Sequence, residues 1–280
     1  MLLGGRLMQV KSGEGFDVRY MIYDKDFSMF ILSYYSLVQN TGRKFKLYIW
    51  DGGLTKEQRK QITELFPGVT IKQMLAKGKT IKEFEKRYTA YINKPLMDVH
   101  YLRDKKFIGI DPDVIFYKEP KEIIDWIDND NDTNLFLSDC TNGYMNNYEK
   151  IFDKLVEKLN AGLLCLQSYT LPDFETAYDF FNNKSTKNPD QTFYAYCLAH
   201  CKYKYKRLDR YKYKIFIHSF NEWSEESQQY VKNNIQEDYD EHCKYLKDKN
   251  TICFHFINSS WKKFLKINDD ALEILNPDEV

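Results

Sequence analysis

Residues 107–116 read FIGIDPDVIF, an apolar strand pattern that two carboxylates, Asp111 and Asp113, interrupt around Pro112. The flanking apolar residues predict that the segment is buried, and a buried charge is costly unless it is paired or binds a cation. The two carboxylates therefore need an explanation, which depends on the fold that the rest of the sequence predicts.

The segments before this stretch alternate between strand and helix patterns. Residues 18–24 (VRYMIYD) and 45–51 (FKLYIWD) predict strands, and apolar residues at helical spacing lie between them up to Gly42. A second helix is predicted after Thr55, which is spaced to form a capping box with Gln58. Alternation of this kind predicts an α/β fold with a mostly parallel central sheet flanked by helices, and ligands beyond the carboxyl ends of its strands.

The segments after this stretch continue the same pattern. Residues 134–139 (NLFLSD) and 159–167 (LNAGLLCLQ) predict strands. Residues 119–127 predict a short helix with Pro120 in its first turn, and residues 190–200 predict another helix. The sequence shows no repeat and no long linker, so its 280 residues predict one domain.

The amino-acid composition argues against several classes of protein. Basic and acidic residues both number 41, so no overall field favours nucleic acid or an acidic surface. The six cysteines lack the Cys-x-x-Cys pairs of a zinc or redox site, which predicts that they are reduced. Apolar runs are shorter than the roughly 7–15 residues of a signal sequence or the roughly 20 of a membrane span. We therefore expect a cytoplasmic protein.

Three interpretations of Asp111 and Asp113 stay open from the residues alone. The pair could form a polar turn at a strand end, the common role of an isolated Asp-x-Asp. It could supply a general acid and a general base, although residues so close in sequence seldom lie on opposite sides of a scissile bond. It could also hold Mg²⁺ or Mn²⁺, with water and substrate phosphates completing the coordination.

Further motifs, in order along the chain, resemble those of GT-A fold glycosyltransferases, most of all glycosyltransferase family 8 and related capsule and lipopolysaccharide sugar transferases. The family's Asp-x-Asp, Asn-Ala/Ser-Gly, Asp-Gln and terminal histidine motifs are matched by DPD (111–113), NAG (160–162), DQ (190–191) and HFINSSWKKF (255–264). The last segment keeps His255 but lacks the glycine of the family's His-x-x-Gly-x-x-Lys-Pro-Trp pattern. The resemblance covers residues 18–265.

This resemblance implies an enzyme of polysaccharide synthesis that moves a hexose from a nucleotide diphosphate sugar, commonly a UDP-sugar, to a glycan, lipid or protein acceptor with retention of configuration. The implied cofactor is Mn²⁺ or Mg²⁺, with the ligands Asp111, Asp113 and His255. The residues implied at the donor nucleotide and its phosphates are Tyr23, Asp24, Arg87, Lys94, Asp111 and Lys262. Those implied beside the transferred sugar are Asn160, Asp190 and Gln191.

The same resemblance divides the single domain into four parts. These are an N-terminal extension (1–17), a donor-binding half (18–118), a sugar and acceptor half (119–265) and a C-terminal tail (266–280).

Several of these residues also have a simpler structural interpretation. His255 could be a core histidine bonded to the backbone, and Tyr23 an ordinary strand aromatic. Asp190 could stabilise a helix N-terminus, and Lys262 could belong to a solvated tail. The Asp-Gly sequence at Asp51 favours a turn over a ligand contact.

Other functions also stay open. A catalytically silent GT-A domain could serve as a glycan-binding or scaffold subunit. A nucleotidyltransferase would need a glycine-rich basic loop after the first strand, which residues 23–30 lack. An inverting transferase would need a base near the acceptor, and Asp139 and Glu222 are the candidates.

Residues 201–216 (CKYKYKRLDRYKYKIF) alternate lysine with tyrosine on both sides of a predicted turn. Period-two alternation predicts a half-buried strand with a basic face, and the two arms could form a hairpin. A basic and aromatic surface could bind an anionic glycan, a lipid-linked acceptor or acidic membrane lipid, so residues 202–214 are a candidate peripheral membrane contact. Single-stranded nucleic acid is a further alternative.

Overall fold

The structure is a computed structural model that describes residues 13, 15–73, 106–130, 132–139, 156–167, 191, 194–195, 198–199, 204–217 and 250–257. The strands are β1 (Phe16–Ile22), β2 (Phe45–Asp51), β3 (Thr70–Gln73), β4 (Phe107–Ile110), β5 (Val114–Phe116), β6 (Thr133–Ser138), β7 (Leu159–Leu166), β8 (Lys204–Arg207), β9 (Tyr213–Ile217) and β10 (Cys253–Ile257). The helices are a 3₁₀ turn (Asp24–Asp26), α1 (Phe27–Thr41), α2 (Lys56–Leu65) and α3 (Lys121–Asp128). No helix in these ranges is long and apolar enough to cross a membrane.

Two sheets organise the described part of the chain. The larger has seven strands in the order β3-β2-β1-β4-β7-β6-β8, and the smaller has three in the order β5-β10-β9. Within the larger sheet only β7 runs antiparallel to its neighbours. The predicted α/β architecture with a mostly parallel sheet is therefore confirmed.

The direction of β7 matters for where polar residues meet. The carboxyl ends of β1, β4 and β6 lie at one edge of the larger sheet, and the amino end of β7 lies at that same edge because β7 runs the other way. Ile110 pairs with Leu163, and the Asp111 amide donates to the Gly162 carbonyl at 2.8 Å. The start of β7, including Asn160, thus lies beside the residues that follow β4.

The 107–116 stretch forms two strands in different sheets, so the expectation of one interrupted strand is wrong. β4 belongs to the larger sheet and β5 to the smaller one. Asp111, Pro112 and Asp113 form the crossing, a turn in which the Val114 amide donates to the Asp111 carbonyl at 3.2 Å. The two carboxylates therefore lie at the junction between the sheets.

Helix α1 fastens this junction from the core side. Ser33 Oγ donates to the Val114 carbonyl at 2.5 Å, and Ser36 Oγ accepts from the Phe116 amide at 3.0 Å. Both hydroxyls are buried, so these bonds satisfy polar groups that would otherwise be costly inside the core. The helix ends as predicted at Gly42, whose φ of 62° is in the left-handed region that favours glycine.

Helix α2 also follows its local sequence signals. Thr55 Oγ accepts from the Gln58 amide at 3.1 Å, and the Gln58 side chain accepts from the Thr55 amide at 2.9 Å. The predicted capping box is therefore confirmed, and Phe66 at the far end packs its ring against Tyr34 of α1 with 4.9 Å between ring centroids.

The lysine and tyrosine segment corrects two expectations. β8 pairs with β6 in the larger sheet and β9 pairs with β10 in the smaller one, so the arms do not form a hairpin with each other. All four residues of β8, Lys204–Arg207, are exposed on both faces, whereas Tyr213 and Lys214 at the start of β9 are both buried. The expected half-buried alternation is therefore wrong, because β8 is an edge strand with little packed over it.

Candidate active site

Three predicted metal ligands converge at the junction between the sheets. His255 lies on β10 opposite Val114, directly after the Asp111–Asp113 turn. Its Nε2 atom lies 3.6 Å from Asp111 Oδ2 and 3.2 Å from Asp113 Oδ1, and one ligand atom from each of the three residues lies within 4.8 Å of the others. This geometry brings together two strand-end carboxylates and an imidazole that are far apart in sequence.

The donor set fits a divalent cation. Asp113 Oδ1 is buried, and no described residue gives it a hydrogen bond of acceptable geometry. A buried carboxylate oxygen without a donor is costly, and a bound cation would remove that cost. Two carboxylates and one neutral imidazole also match the ligand preferences of Mn²⁺.

Gly162 creates the space for the His255 ring. A Cβ atom at Gly162 would overlap the imidazole, coming within 2.8 Å of Nε2 and closer still to Cε1 and Nδ1. The neighbouring Phe256 amide donates to the Asp113 carbonyl at 2.9 Å, which fixes the backbone of β10 against the turn. The glycine of the NAG motif is therefore required by packing, a reason that the motif alone does not reveal.

Asn160 sets which nitrogen of His255 carries a proton. Asn160 Oδ1 accepts from the Gly162 amide at 2.9 Å and lies 2.8 Å from His255 Nδ1. Since this oxygen only accepts hydrogen bonds, Nδ1 carries the hydrogen, and in the neutral ring the lone pair is on Nε2, which faces Asp111 and Asp113. That is the tautomer that a metal ligand needs.

The charge around His255 favours a cation at the same place. Burial alone lowers the pKa of His255, but the negative charges of Asp113 and Asp111 outweigh it and raise the pKa above its usual value. A metal ion bound at Nε2 would replace the proton that these carboxylates attract.

Asp139 joins the two predicted sugar-side amides. Its Oδ2 atom accepts from Gln191 Nε2 at 3.0 Å and, through a longer contact of 3.4 Å, from Asn160 Nδ2. All three side chains are buried. The structure thus links Gln191, through Asp139 and Asn160, to the candidate ligand His255.

No family model and no curated protein matches this chain. Among solved structures, the galactosyltransferase LgtC in complex with donor and acceptor sugar analogues is similar over 91% of this chain and 95% of its own, with 11% identity and a TM-score of 0.54. Mouse xyloside xylosyltransferase 1 is similar over 90% of this chain and 99% of its own, with 9% identity and a TM-score of 0.57. The chain has the GT-A fold.

A third GT-A neighbour is the glycosyltransferase GlyE of Streptococcus pneumoniae, which is 15% identical over 94% of this chain and 63% of its own, with a TM-score of 0.52. Identities this low establish the shared fold only. The predicted resemblance to GT-A glycosyltransferases is therefore confirmed for the fold, while membership of family 8 stays a prediction.

The predicted nucleotide-binding residues of this GT-A domain directly follow β1. Tyr23 is half-buried, and burial raises the pKa of its phenol. Asp24 has an exposed side chain, and its carbonyl accepts from Gln58 Nε2 at 2.9 Å. Sequence reasoning missed Asp26, whose carboxylate accepts from the Tyr23 amide at 3.3 Å; its pKa is raised chiefly by burial, with a further contribution from the charge of Asp113. The two aspartates of YDKD (23–26), spaced two residues apart directly after β1, were the sequence signal that could have drawn attention to Asp26.

Asp51, another strand-end carboxylate of the GT-A sheet, is a structural residue. Its Oδ1 atom accepts from the Gly53 and Leu54 amides at 2.8 and 2.7 Å, and its Oδ2 atom accepts from Arg59 Nε at 2.5 Å. The interpretation as a turn is confirmed.

Several predicted site residues lie outside the residues that the structure describes. They stay predictions, and they are Arg87, Lys94, Asp190, Lys262 and the alternative base Glu222.

Proposed function

We propose that this protein is a metal-dependent glycosyltransferase that moves a hexose from a nucleotide diphosphate sugar, preferably a UDP-sugar, to a glycan, lipid or protein acceptor. The observation that carries the proposal is the convergence of Asp111, Asp113 and His255 at the ligand-binding edge of a GT-A sheet. Buried Asn160 and Gln191 beside them supply neutral polar groups suited to sugar hydroxyls.

The proposed cofactor is Mn²⁺, with Mg²⁺ as the alternative. When bound, the cation supplies positive charge for the diphosphate leaving group without the need for proton transfer. Asp111, Asp113 and His255 Nε2 hold it, and the Nδ1 hydrogen bond to Asn160 keeps the ring in the required orientation. The proposed contacts of the donor nucleotide and diphosphate are those named from the sequence, namely Tyr23, Asp24, Arg87, Lys94, Asp111 and Lys262.

Retention of configuration is the proposed stereochemistry. The candidate base for inversion, Asp139, accepts hydrogen bonds from two amide groups through Oδ2, which favours a structural role for this carboxylate. Asn160, Asp190 and Gln191 are the proposed sugar-side residues. One matched LgtC structure carries an active-site glutamine-to-glutamate substitution, which supports assigning Gln191 of this chain to the reaction centre.

Thermal unfolding with a panel of nucleotide diphosphate sugars, each with and without Mn²⁺, tests the proposal. A donor at 100 times its Kd adds about 2.7 kcal/mol, enough to raise Tm by several degrees. We expect one donor to stabilise the wild type only with Mn²⁺, and Asp113→Asn to lose that shift. The stabilising donor is then tested for nucleotide release with candidate acceptors.

The contrasting function is a catalytically silent GT-A subunit that binds glycans. It predicts no metal-dependent donor shift and no nucleotide release from a cooperatively folded protein. That result would overturn the transferase proposal, and stabilisation by an acceptor glycan alone would then favour the silent subunit.

We further propose that the protein is cytoplasmic and that residues 202–214 contact the membrane surface. Lys206 and Arg207 are exposed and have no ion pair among the described residues, and Tyr205 and Tyr211 are 47% and 57% exposed. Each cation near an anionic bilayer contributes about 1 kcal/mol. We expect sedimentation with vesicles rich in phosphatidylglycerol but not with phosphatidylcholine alone, and loss of binding in Lys206→Gln/Arg207→Gln. Equal sedimentation of that variant and the wild type would contradict the proposal.

A further inference from the structure

Asp139 is a buried carboxylate one residue beyond the end of β6, and the proposed transfer reaction gives it no direct task. Its backbone amide donates to the Lys158 carbonyl at 2.7 Å, and Lys158 has a φ of 51° in the left-handed region. This bond fixes Asp139 against the chain that enters β7, where Asn160 and Gly162 lie. The backbone of Asp139 is thus held between the end of β6 and the start of β7.

The carboxylate fixes the orientation of two amide side chains. An ionised carboxylate only accepts hydrogen bonds, so it binds the nitrogen end of an amide. Asp139 Oδ2 accordingly faces Gln191 Nε2 and Asn160 Nδ2. The oxygen end of Asn160 is therefore turned away from Asp139, towards the Gly162 amide and His255 Nδ1.

The opposite orientation of Asn160 would be unfavourable at both ends. Its nitrogen would meet the Gly162 amide, so that two donors faced each other without an acceptor. Its oxygen would meet the carboxylate of Asp139, so that two acceptors faced each other. Asp139 and the Gly162 amide together therefore select the orientation in which Asn160 accepts from His255.

We infer that Asp139 is a positioning residue, which orients Asn160 so that His255 carries its hydrogen on Nδ1 and presents Nε2 to Asp111 and Asp113. The same carboxylate holds the nitrogen of Gln191, leaving Gln191 Oε1 as the end that is not bound to Asp139. This inference deepens the proposed function and rests on it for the identity of the metal and the reaction.

The first measurement is the protonation state of His255 in the metal-free protein. Nitrogen NMR of the five histidines, with the His255→Gln variant to assign the signal, distinguishes Nδ1–H from Nε2–H imidazole at a pH where the ring is neutral. We expect the Nδ1–H form in the wild type and a loss of that preference in Asp139→Asn, which keeps the shape and removes the charge. An unchanged preference in Asp139→Asn would overturn the inference.

The second measurement is direct binding of Mn²⁺, followed by the electron paramagnetic resonance of the free ion. Residues that orient a metal ligand change affinity by about 10–100-fold when replaced, so we expect at least about a tenfold loss in Asp139→Asn. The double variant Asp139→Asn/Asn160→Asp exchanges amide and carboxylate and restores an acceptor for His255 Nδ1. We expect the double variant to bind Mn²⁺ more tightly than Asp139→Asn. If its Mn²⁺ affinity is no higher, Asp139 does not act on His255 through residue 160.

The control is the variant Asn134→Ser. Asn134 is a buried polar residue of β6 that accepts from the Gln167 amide at 2.8 Å. The variant tests whether mere disturbance of β6 weakens Mn²⁺ binding, and we expect its affinity and its His255 tautomer to match the wild type. If Asp139→Asn does not fold, Asp139→Glu keeps the charge but displaces it, and the same two readouts apply.

Failure of the inference and failure of the proposed function give different results. A wild type that binds Mn²⁺ but transfers no sugar refutes the transferase proposal, and the Mn²⁺ affinities still decide the role of Asp139. A wild type that binds no Mn²⁺ refutes metal dependence, and the tautomer of His255 in the metal-free protein still decides the role of Asp139. If the wild type transfers sugar normally, and Asp139→Asn keeps both the Mn²⁺ affinity and the His255 tautomer of the wild type, only the inference is refuted.

Discussion

Two aspartates beside strand ends of this GT-A domain, Asp51 and Asp113, are bonded in different ways. At the end of β2, Asp51 has both oxygens occupied, by the Gly53 and Leu54 amides and by Arg59. In the turn between β4 and β5, Asp113 has a buried Oδ1 atom without a hydrogen bond among the described residues, although His255 Nε2 lies 3.2 Å away. Residue type and position are alike in the two cases. The number of carboxylate oxygens that accept hydrogen bonds from the chain distinguishes the structural Asp51 from the candidate metal ligand Asp113.

The largest expected effect comes from Asp113→Asn. Because this change removes a metal ligand, we expect Mn²⁺-dependent transfer to fall by more than about 100-fold, the upper range for residues that merely support a ligand. The metal-free Tm should change little, since the variant removes a buried oxygen without a hydrogen bond but also removes the ion pair with His255. Turnover and metal-free thermal unfolding check both halves, and a variant as active as the wild type would exclude Asp113 as a ligand.

The next effect comes from Gly162→Ala, which tests whether the ring of His255 needs the space above that glycine. The added Cβ would overlap the imidazole, and overpacking costs about 1–3 kcal/mol. We expect lower stability together with weaker Mn²⁺ binding, measured by denaturant unfolding and metal titration.

Gly42→Ala is the matched control for this variant. It destabilises the end of α1 because of its left-handed φ, and nothing lies within 4 Å of the added Cβ. Its Mn²⁺ affinity should match the wild type. If both glycine variants weaken metal binding equally, the packing explanation is wrong.

A smaller effect is expected from Asp51→Asn, and it should appear only in stability. Hydrogen bonds to charged groups contribute about 1.5–3 kcal/mol, so the free energy of unfolding should fall by that order at pH 7 while Mn²⁺ affinity stays unchanged.

The effect of Asp51→Asn should also depend on pH. Burial raises the pKa of Asp51, but the Arg59 bond and the two backbone amides outweigh it and lower the pKa below its usual value. The stabilisation is therefore present above the unfolded pKa of about 3.9 and is lost as the pH falls through the lower folded value. Unfolding of both proteins between pH 7 and pH 3 should show the gap closing at the acid end, and a gap that widens there would contradict the assignment.

The smallest effect is expected from Arg59→Gln. The side chain of Arg59 is 39% exposed, and ion pairs open to solvent contribute about 0–1 kcal/mol. The backbone amides of Gly53 and Leu54 still hold Asp51 in this variant. Denaturant unfolding should therefore show less loss than Asp51→Asn, and an equal loss would mean that the ion pair alone stabilises the turn.

The sequence predicted the parts of the structure that short-range signals control. The end of α1 at Gly42, the capping box at Thr55 and the strand 45–51 all depend on residues within a few positions of each other. The meeting of Asp111, Asp113 and His255 was also predicted, through the order of motifs along the chain. The first three are local patterns that agree with the fold, whereas the meeting of the ligands was predicted from the resemblance to a known family.

The features that the sequence did not predict depend on pairing between distant segments. β5 lies in a different sheet from β4 because it pairs with β10, and nothing in the sequence of residues 107–116 predicts this pairing. The need for Gly162 arises from a ring on β10, and the role of Asp139 arises from amides on other elements. Likewise, β8 and β9 alternate like a hairpin but find partners in different sheets.

The junction between the sheets also has a consequence for how the protein opens. Asp111 directly follows β4 of the larger sheet, whereas Asp113 directly precedes β5 and His255 lies on β10 of the smaller one. A cation bound to all three would therefore tie the sheets together. Without it, the His255–Asn160 hydrogen bond is a polar tie that still crosses that boundary. Amide protons of β10 should therefore exchange with deuterated solvent more slowly when Mg²⁺ is present, while those of β2, remote from the boundary, should keep their rates.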